Sequence, residues 1–127
     1  MSGTVVEIGD RQIEVRFTLP ALAAAQDALG LDRVTDLLAR LDELARAAGA
    51  EGEDWTRMLD VDARDLQALL WAGARRDWRA KTGEEPRLEE IGELVSLRDF
   101  PGVLLGITEA IALSAKGERK AASAADA

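Results

Sequence analysis

Three aspartates near the middle of the chain come closest, in type and spacing, to a reactive site. Asp60, Asp62 and Asp65 could offer carboxylate oxygens to a hard cation, and Asp62 with Asp65 and a metal could then serve an enzyme. The run lacks the glycine and the distal glutamate of an EF-hand loop. Aspartate is also favoured at helix N-termini, and these positions stand where a helix would begin. We therefore interpret them as helix caps and expect no metal site.

The remaining composition also argues against catalysis. The chain has no histidine, no cysteine and no tyrosine, which excludes the usual base near neutral pH, the common nucleophilic triads and cysteine-ligated zinc. The segment from Gly102 to Gly106 is not followed by a Lys-Ser or Lys-Thr pair, so it is not a phosphate-binding loop. We expect a protein that is not an enzyme, with no catalytic residue and no cofactor.

An aromatic and basic stripe lies on one predicted helix. Trp71, Arg75 and Trp78 are spaced by four and three residues, so a guanidinium can lie between two indoles. Tryptophan and arginine often carry the energy of protein interfaces, which makes Trp78, Arg75 and Arg79 candidate partner-binding residues. Alternatively, the tryptophans belong to the core and the cations favour the helix C-terminus. We prefer the core for Trp71, which follows two leucines, and leave both alternatives open for Trp78.

A row of small residues lies on the last predicted helix. Gly102, Gly106, Ala110 and Ser114 recur at every fourth position, a spacing that lets another helix approach closely. Two glycines inside a helix each cost up to about 1 kcal/mol relative to alanine, so close packing must compensate for them. The approaching surface is either the chain's own core or a partner, including a second subunit of a homo-oligomer. Gly102, Gly106 and Ala110 are therefore candidate partner-binding residues.

Composition limits the class of protein. The 127 residues are 47% hydrophobic and 31% charged, which suits one domain with a modest core. The net charge of -8 disfavours general binding to nucleic acid. The first residues do not form a secretion signal, and no apolar run reaches the roughly 18 residues of a membrane span. We expect a cytoplasmic protein that does not contact a membrane.

The N-terminal segment alternates between apolar and polar residues, as in a β-hairpin. With Gly9-Asp10 as the two-residue loop, one face carries only apolar side chains. A two-stranded ribbon is at best marginally stable alone, so this face should pack on helices. The residues of the inner face are Val6, Ile8, Ile13, Val15 and Phe17.

Helical patterns follow the hairpin. They predict a fold that is mainly α with a short N-terminal β-hairpin (α+β), built as a compact bundle of about five helices. The first helix should begin after Thr18 and bury Leu19 and Leu22. Residues 1–115 form a single helical domain, with the hairpin at 4–17, and residues 116–127 form a disordered C-terminal tail without a large apolar side chain. The helices are expected at about 18–30, 32–48, 60–81, 84–95 and 99–115, with a loop at 49–54 and a short helical turn at 55–59.

The order of these segments resembles a known family. The residues that carry the resemblance are Glu14 to Leu19 (EVRFTL), Ala28 to Leu31 (ALGL), Leu66 to Gly73 (LQALLWAG), Leu88 to Val95 and Val103 to Leu113. Over about residues 4 to 115 the chain is similar to the tail assembly chaperones of long-tailed, siphovirus-like phages and gene transfer agents. The resemblance rests on the order and pattern of segments, with no catalytic motif.

The resemblance implies a non-enzymatic role in viral tail assembly. Proteins of this family coat the tape measure protein before the tail tube polymerises around it, and they recruit the tail tube protein. A bacteriophage or prophage protein of this kind acts in the bacterial host cytoplasm. The family often has a longer frameshifted form with an extra C-terminal domain, and the polar segment from Lys116 would suit a linker to it.

A different class of protein is also compatible with the sequence. Arg75, Arg76, Arg79 and Lys81 surround Trp78, which gives a local basic and aromatic patch. Such a patch favours a small acidic helical regulatory or DNA-associated adaptor module. The acidic remainder of the chain weighs against this alternative.

Overall fold

The computed structural model describes the backbone of residues 3–48 and 61–126 and the side chains of residues 3–48 and 61–114. Within these ranges the chain forms an antiparallel hairpin followed by five α-helices, so the predicted fold class is confirmed. The loop at 49–54, the helical turn at 55–59 and the cap at Asp60 lie outside the described residues. The elements are β1 Thr4–Ile8, β2 Arg11–Val15, α1 Leu19–Ala28, α2 Val34–Ala48, α3 Ala63–Thr82, α4 Leu88–Leu94 and α5 Phe100–Asp126.

The hairpin has the predicted register. Val6 pairs with Ile13, and Ile8 pairs with Arg11 across the Gly9-Asp10 loop. Gly9 has a φ of 62°, a left-handed conformation that glycine adopts without a Cβ penalty. The whole inner face is buried, and β1 lies against α5 while β2 lies against α3. The hairpin therefore closes one side of the helical core, as its period of two predicts.

Helix α3 covers the outer edge of β2. The Arg16 amide donates to the Gly73 carbonyl at 2.9 Å, and the Glu14 amide donates to the Asp77 carboxylate at 2.9 Å. Lys81 Nζ donates to the Gln12 carbonyl at 2.7 Å. Unpaired strand edges must find partners for their backbone groups. One face of α3 thus supplies the hydrogen bonds that a third strand would give.

Helix α1 packs through a face that only partly matches the predicted one, because Leu22 is partly buried against the core as predicted and Leu19 is not. Thr18 caps its first turn by accepting a bond from the Ala21 amide at 3.4 Å. Ala21 and Ala25 are buried, whereas Leu19 is 75% exposed. The prediction that Leu19 faces the core is wrong, because the alanine face lets α1 approach α3 closely.

Helix ends follow the expected chemistry at α3. The Asp62 side chain accepts from the Arg64 amide at the N-terminus, and Gly83 ends the helix with a φ of 78°. Helix α4 is shorter than its predicted range and packs on α3. A short 3₁₀ turn, Leu97–Asp99, leads into α5.

The last helix extends further than the sequence predicts. Its backbone is helical to Asp126, where a disordered tail is predicted from residue 116. The segment is rich in alanine, lysine, arginine and glutamate, which are good helix formers. Continuing an existing helix also avoids the cost of nucleating a new one. The helical backbone is the observed conformation, and the disorder of residues 116–127 in the free protein stays a prediction.

Among the helices of the described ranges, none is long and apolar enough to cross a membrane.

Candidate functional site

Two of the three candidate metal ligands, Asp62 and Asp65, are held in ion pairs. Asp65 is 2% exposed and accepts from Arg40 Nη1 at 2.8 Å. Asp62 accepts from the Arg64 side chain and backbone, and these hydrogen bonds lower the pKa of the Asp62 carboxyl. The bond to Asp65 raises the pKa of Arg40. No group of three or more acidic side chains in the described residues could hold a metal ion. The arrangement serves helix capping and charge compensation.

Trp78 lies in the hydrophobic core. It is 8% exposed and belongs to the main cluster of buried residues. The guanidinium above its ring comes from Arg11 of the hairpin, at 5.5 Å from the ring centroid. Of the two alternatives for Trp78, the core position is the observed one. This position leaves little of the Trp78 indole accessible to a partner, and its role in partner binding stays a prediction.

Trp71 and Arg75 form the accessible part of the stripe. The Trp71 indole is half-buried, its Nε1 donates to the Pro86 carbonyl at 2.9 Å, and the Arg75 guanidinium lies 5.1 Å from its centroid. Arg75 therefore stacks on one indole rather than between two. The Trp71 side chain thus joins the segment before α4 to α3. This agrees with the interpretation of Trp71 as a structural residue.

The small-residue row faces the chain's own hairpin. Gly106 is buried, and a Cβ added there would lie 2.5 Å from Val6 Cγ2. Ala110 is buried in the same helix, and Ser114 Oγ donates to the Phe17 carbonyl at 2.7 Å. Gly102 is exposed, and a Cβ added there would meet nothing within 4 Å. Packing within the chain thus explains Gly106 and Ala110, and only Gly102 of this candidate set is accessible.

An arginine-lined cleft lies between α3 and the junction of the hairpin with α1. Its volume is about 570 Å³. Four arginines line it, Arg16, Arg75, Arg76 and Arg79, and its remaining lining is Thr18, Pro20, Ala21, Ala72 and Gly73. We call this feature the arginine cleft. It unites two predicted binding residues, Arg75 and Arg79, with Arg16, which the sequence analysis does not connect to them.

An apolar groove lies between α3, α4 and the start of α5. Its volume is about 430 Å³, and its apolar lining includes Leu66, Leu70, Val95, Phe100 and Val103. Glu89 and Glu93 stand exposed at its rim. We call this feature the apolar groove. Nothing in the sequence predicts that these residues border an opening.

Comparison with known proteins adds no relative. No family model, no curated protein and no solved structure matches this chain.

Proposed function

We propose that this chain is a non-enzymatic tail assembly chaperone of a long-tailed phage or gene transfer agent. It binds and coats the tape measure protein and recruits tail tube subunits, in the cytoplasm of the bacterial host. The observation that carries the proposal is the apolar groove on a helical domain. An amphipathic helix of the tape measure protein would place its apolar face in this groove.

The negative charges at the rim of the groove limit which partner helices can bind there. Glu89 and Glu93 at the rim favour a partner helix whose apolar face is flanked by lysine or arginine. The element order also supports the proposal, since the hairpin, the leucine-rich helices, the segment Leu66 to Gly73 and the final helix follow one another as the family resemblance implies.

Copurification with fragments of a tape measure protein from the same genome tests the proposal. The wild-type chain should retain at least one fragment. Val95→Asp places a charge in the groove lining and should weaken capture at least tenfold, equivalent to about 1.4 kcal/mol. Leu97→Asp is the matched control, because Leu97 is a neighbouring apolar residue that is 64% exposed and does not line the groove.

Three outcomes would contradict the proposal. They are failure of every fragment to bind, equal binding by the Val95→Asp variant, or equal loss in the Leu97→Asp control. Melting curves establish whether Val95→Asp folds. If it does not, Glu93→Lys replaces it, because Glu93 is an exposed rim residue whose charge can be reversed without disturbing the core. The Glu93→Lys variant should then capture less of a helix whose apolar face is flanked by lysine or arginine.

The DNA-associated adaptor is the second candidate, and the arginine cleft is the observation that favours it. Two residues of its predicted patch have structural roles, however. Trp78 is buried and Lys81 pairs with Asp77 and the Gln12 carbonyl. The chain charge of -8 adds repulsion beyond the cleft. We therefore prefer the chaperone.

A further inference from the structure

We propose that the arginine cleft binds a short acidic segment of a partner protein. The site is separate from the apolar groove, with which it shares no lining residue, so the inference goes beyond the proposed function. Arginine presents a planar fork of donors that matches a carboxylate, and several such forks converge here from two parts of the chain.

The positive charge of the cleft is incompletely neutralised. Glu85 is shared by Arg75 and Arg79, at 3.3 and 3.0 Å, and Glu14 lies 3.0 Å from Arg16. Two carboxylates thus pair with three of the four arginines. Arg76 is exposed and forms no ion pair with any residue in the described ranges. An incoming carboxylate therefore finds at least one accessible guanidinium that has no ion pair within the described part of the chain.

Two further features favour an anion. The first turn of α1, with Thr18 and Pro20, lies against the cleft, and the N-terminal end of a helix carries partial positive charge. The Arg16 Nε is buried, and no described residue accepts its hydrogen bond. Arg16 and Arg76 also line an adjoining cavity of about 250 Å³ that continues towards Ser114.

The dimensions and surroundings of the cleft favour a peptide over a nucleic acid. Pro20, Ala21 and Ala72 give it an apolar floor on which side chains between the acidic residues can rest. Fields of exposed charges decay over about 8 Å at physiological ionic strength, so a short segment senses mainly the local arginines. A nucleic acid would extend its phosphates onto the acidic remainder of the chain.

Fluorescence anisotropy with a short labelled peptide of alternating glutamate and alanine tests the inference on the full chain. The peptide should bind at low salt and dissociate as salt is raised. Arg76→Glu should weaken binding at least tenfold without changing the melting temperature, because Arg76 is exposed. Arg33→Glu is the matched control, since Arg33 is also exposed and has no ion pair in the described ranges, and the change in net charge is identical. It should bind like wild type.

Two further ligands show whether binding depends on the carboxylates of the peptide and whether a nucleic acid binds more tightly. A peptide with glutamine in place of glutamate should not bind. The inference is overturned if this neutral peptide binds equally well, if the acidic peptide does not bind at low salt, or if Arg33→Glu weakens binding as much as Arg76→Glu. A single-stranded oligonucleotide that binds more tightly than the peptide, and is lost in Arg76→Glu, would assign the cleft to nucleic acid instead. None of these results depends on capture of the tape measure protein by the apolar groove.

Discussion

Asp65 shows how this fold accommodates a buried charge. It is the one charged side chain in the described residues that is almost fully removed from water, and Arg40 of α2 reaches it at 2.8 Å. Removing one member of such a pair leaves the other without compensation, which costs more than losing an exposed pair. The ion pair between Arg40 and Asp65 thus joins α2 to the start of α3. Residues 49–60 lie between these two helices in the sequence.

Arg40→Ala should therefore lower the melting temperature clearly. Arg46→Ala is the control within the same helix, because Arg46 and its partner Asp42 are both exposed. Differential scanning calorimetry of the two variants compares them directly. Equal melting temperatures for both variants would show that Asp65 is compensated without Arg40.

Two aspartates with lowered pKa values should make the stability of the fold depend on pH in the acid range. Hydrogen bonds from Arg64 lower the pKa of Asp62, and the Ser96 amide lowers that of Asp99, relative to the ordinary 3.8. A lowered folded-state pKa stabilises the fold above the unfolded-state pKa, and this contribution is lost as pH falls through the folded-state value. Stability should thus begin to fall as pH drops past about 3.8.

Asp62→Asn tests this dependence. It keeps an oxygen that accepts from the Arg64 amide but removes the charge, so its melting temperature should fall less steeply with acid than that of wild type. An unchanged slope in Asp62→Asn would exclude Asp62 as a source of acid sensitivity.

Phe17 is the largest side chain of the hairpin's inner face, and it is buried beside Gly73 of α3. Phe17→Ala should destabilise the fold by about 3 kcal/mol or more, as other truncations of core aromatics do. Urea denaturation measures the loss. A wild-type midpoint would mean that the hairpin contributes little to the core.

At the scale of elements, the hairpin packs against α3 and α5 at glycine positions, where these helices have no side chain. A Cβ at Gly73 of α3 would lie 2.5 Å from Val15 Cγ1, and one at Gly106 of α5 would lie 2.5 Å from Val6 Cγ2. Both glycines therefore permit close approach of a strand to a helix. Each glycine lowers the intrinsic stability of its helix, and burial of the hairpin's apolar side chains offsets this cost.

Gly106→Ala should consequently destabilise the protein by about 1–3 kcal/mol, because the new methyl group overpacks the contact with Val6. Gly102→Ala is the matched control in the same helix, where open space surrounds the position. It should stabilise the protein by up to about 1 kcal/mol through helix propensity. Thermal melting of both variants tests the contrast, and equal effects would show that the Val6 contact yields without cost.

These contacts also show which features the sequence could predict. Period-two alternation predicted the hairpin register, and the aspartates near position 62 predicted the N-terminal cap of α3, because these signals are local. The buried face of α1 and the position of Trp78 depend on which element packs there. The arginine cleft depends on Arg16, which is far from Arg76 in the chain. Sequence spacing carries no signal for such a meeting.

At the scale of the whole molecule, α3 organises both candidate surfaces. It contacts the hairpin, α1, α4 and α5. Its N-terminal half lines the apolar groove through Leu66 and Leu70, and its C-terminal half lines the arginine cleft through Arg75 and Arg79. An apolar helix and an acidic segment could therefore bind the same domain at once, since the two surfaces use different residues.

The C-terminal part of α5 should be dispensable for the stability of this domain. Residues 116–127 contain no apolar side chain larger than alanine, so they have little to bury against the core. A chain that ends at Ala115 should keep the wild-type melting temperature while losing helical circular dichroism in proportion to the helix removed. Ala121→Pro in the full chain is the control, because it interrupts the helix without shortening the protein. It should also melt like wild type. A fall of several degrees in the truncated chain, but not in Ala121→Pro, would show that residues before position 121 dock on the domain, and a fall in both would extend that contact to the end of the helix.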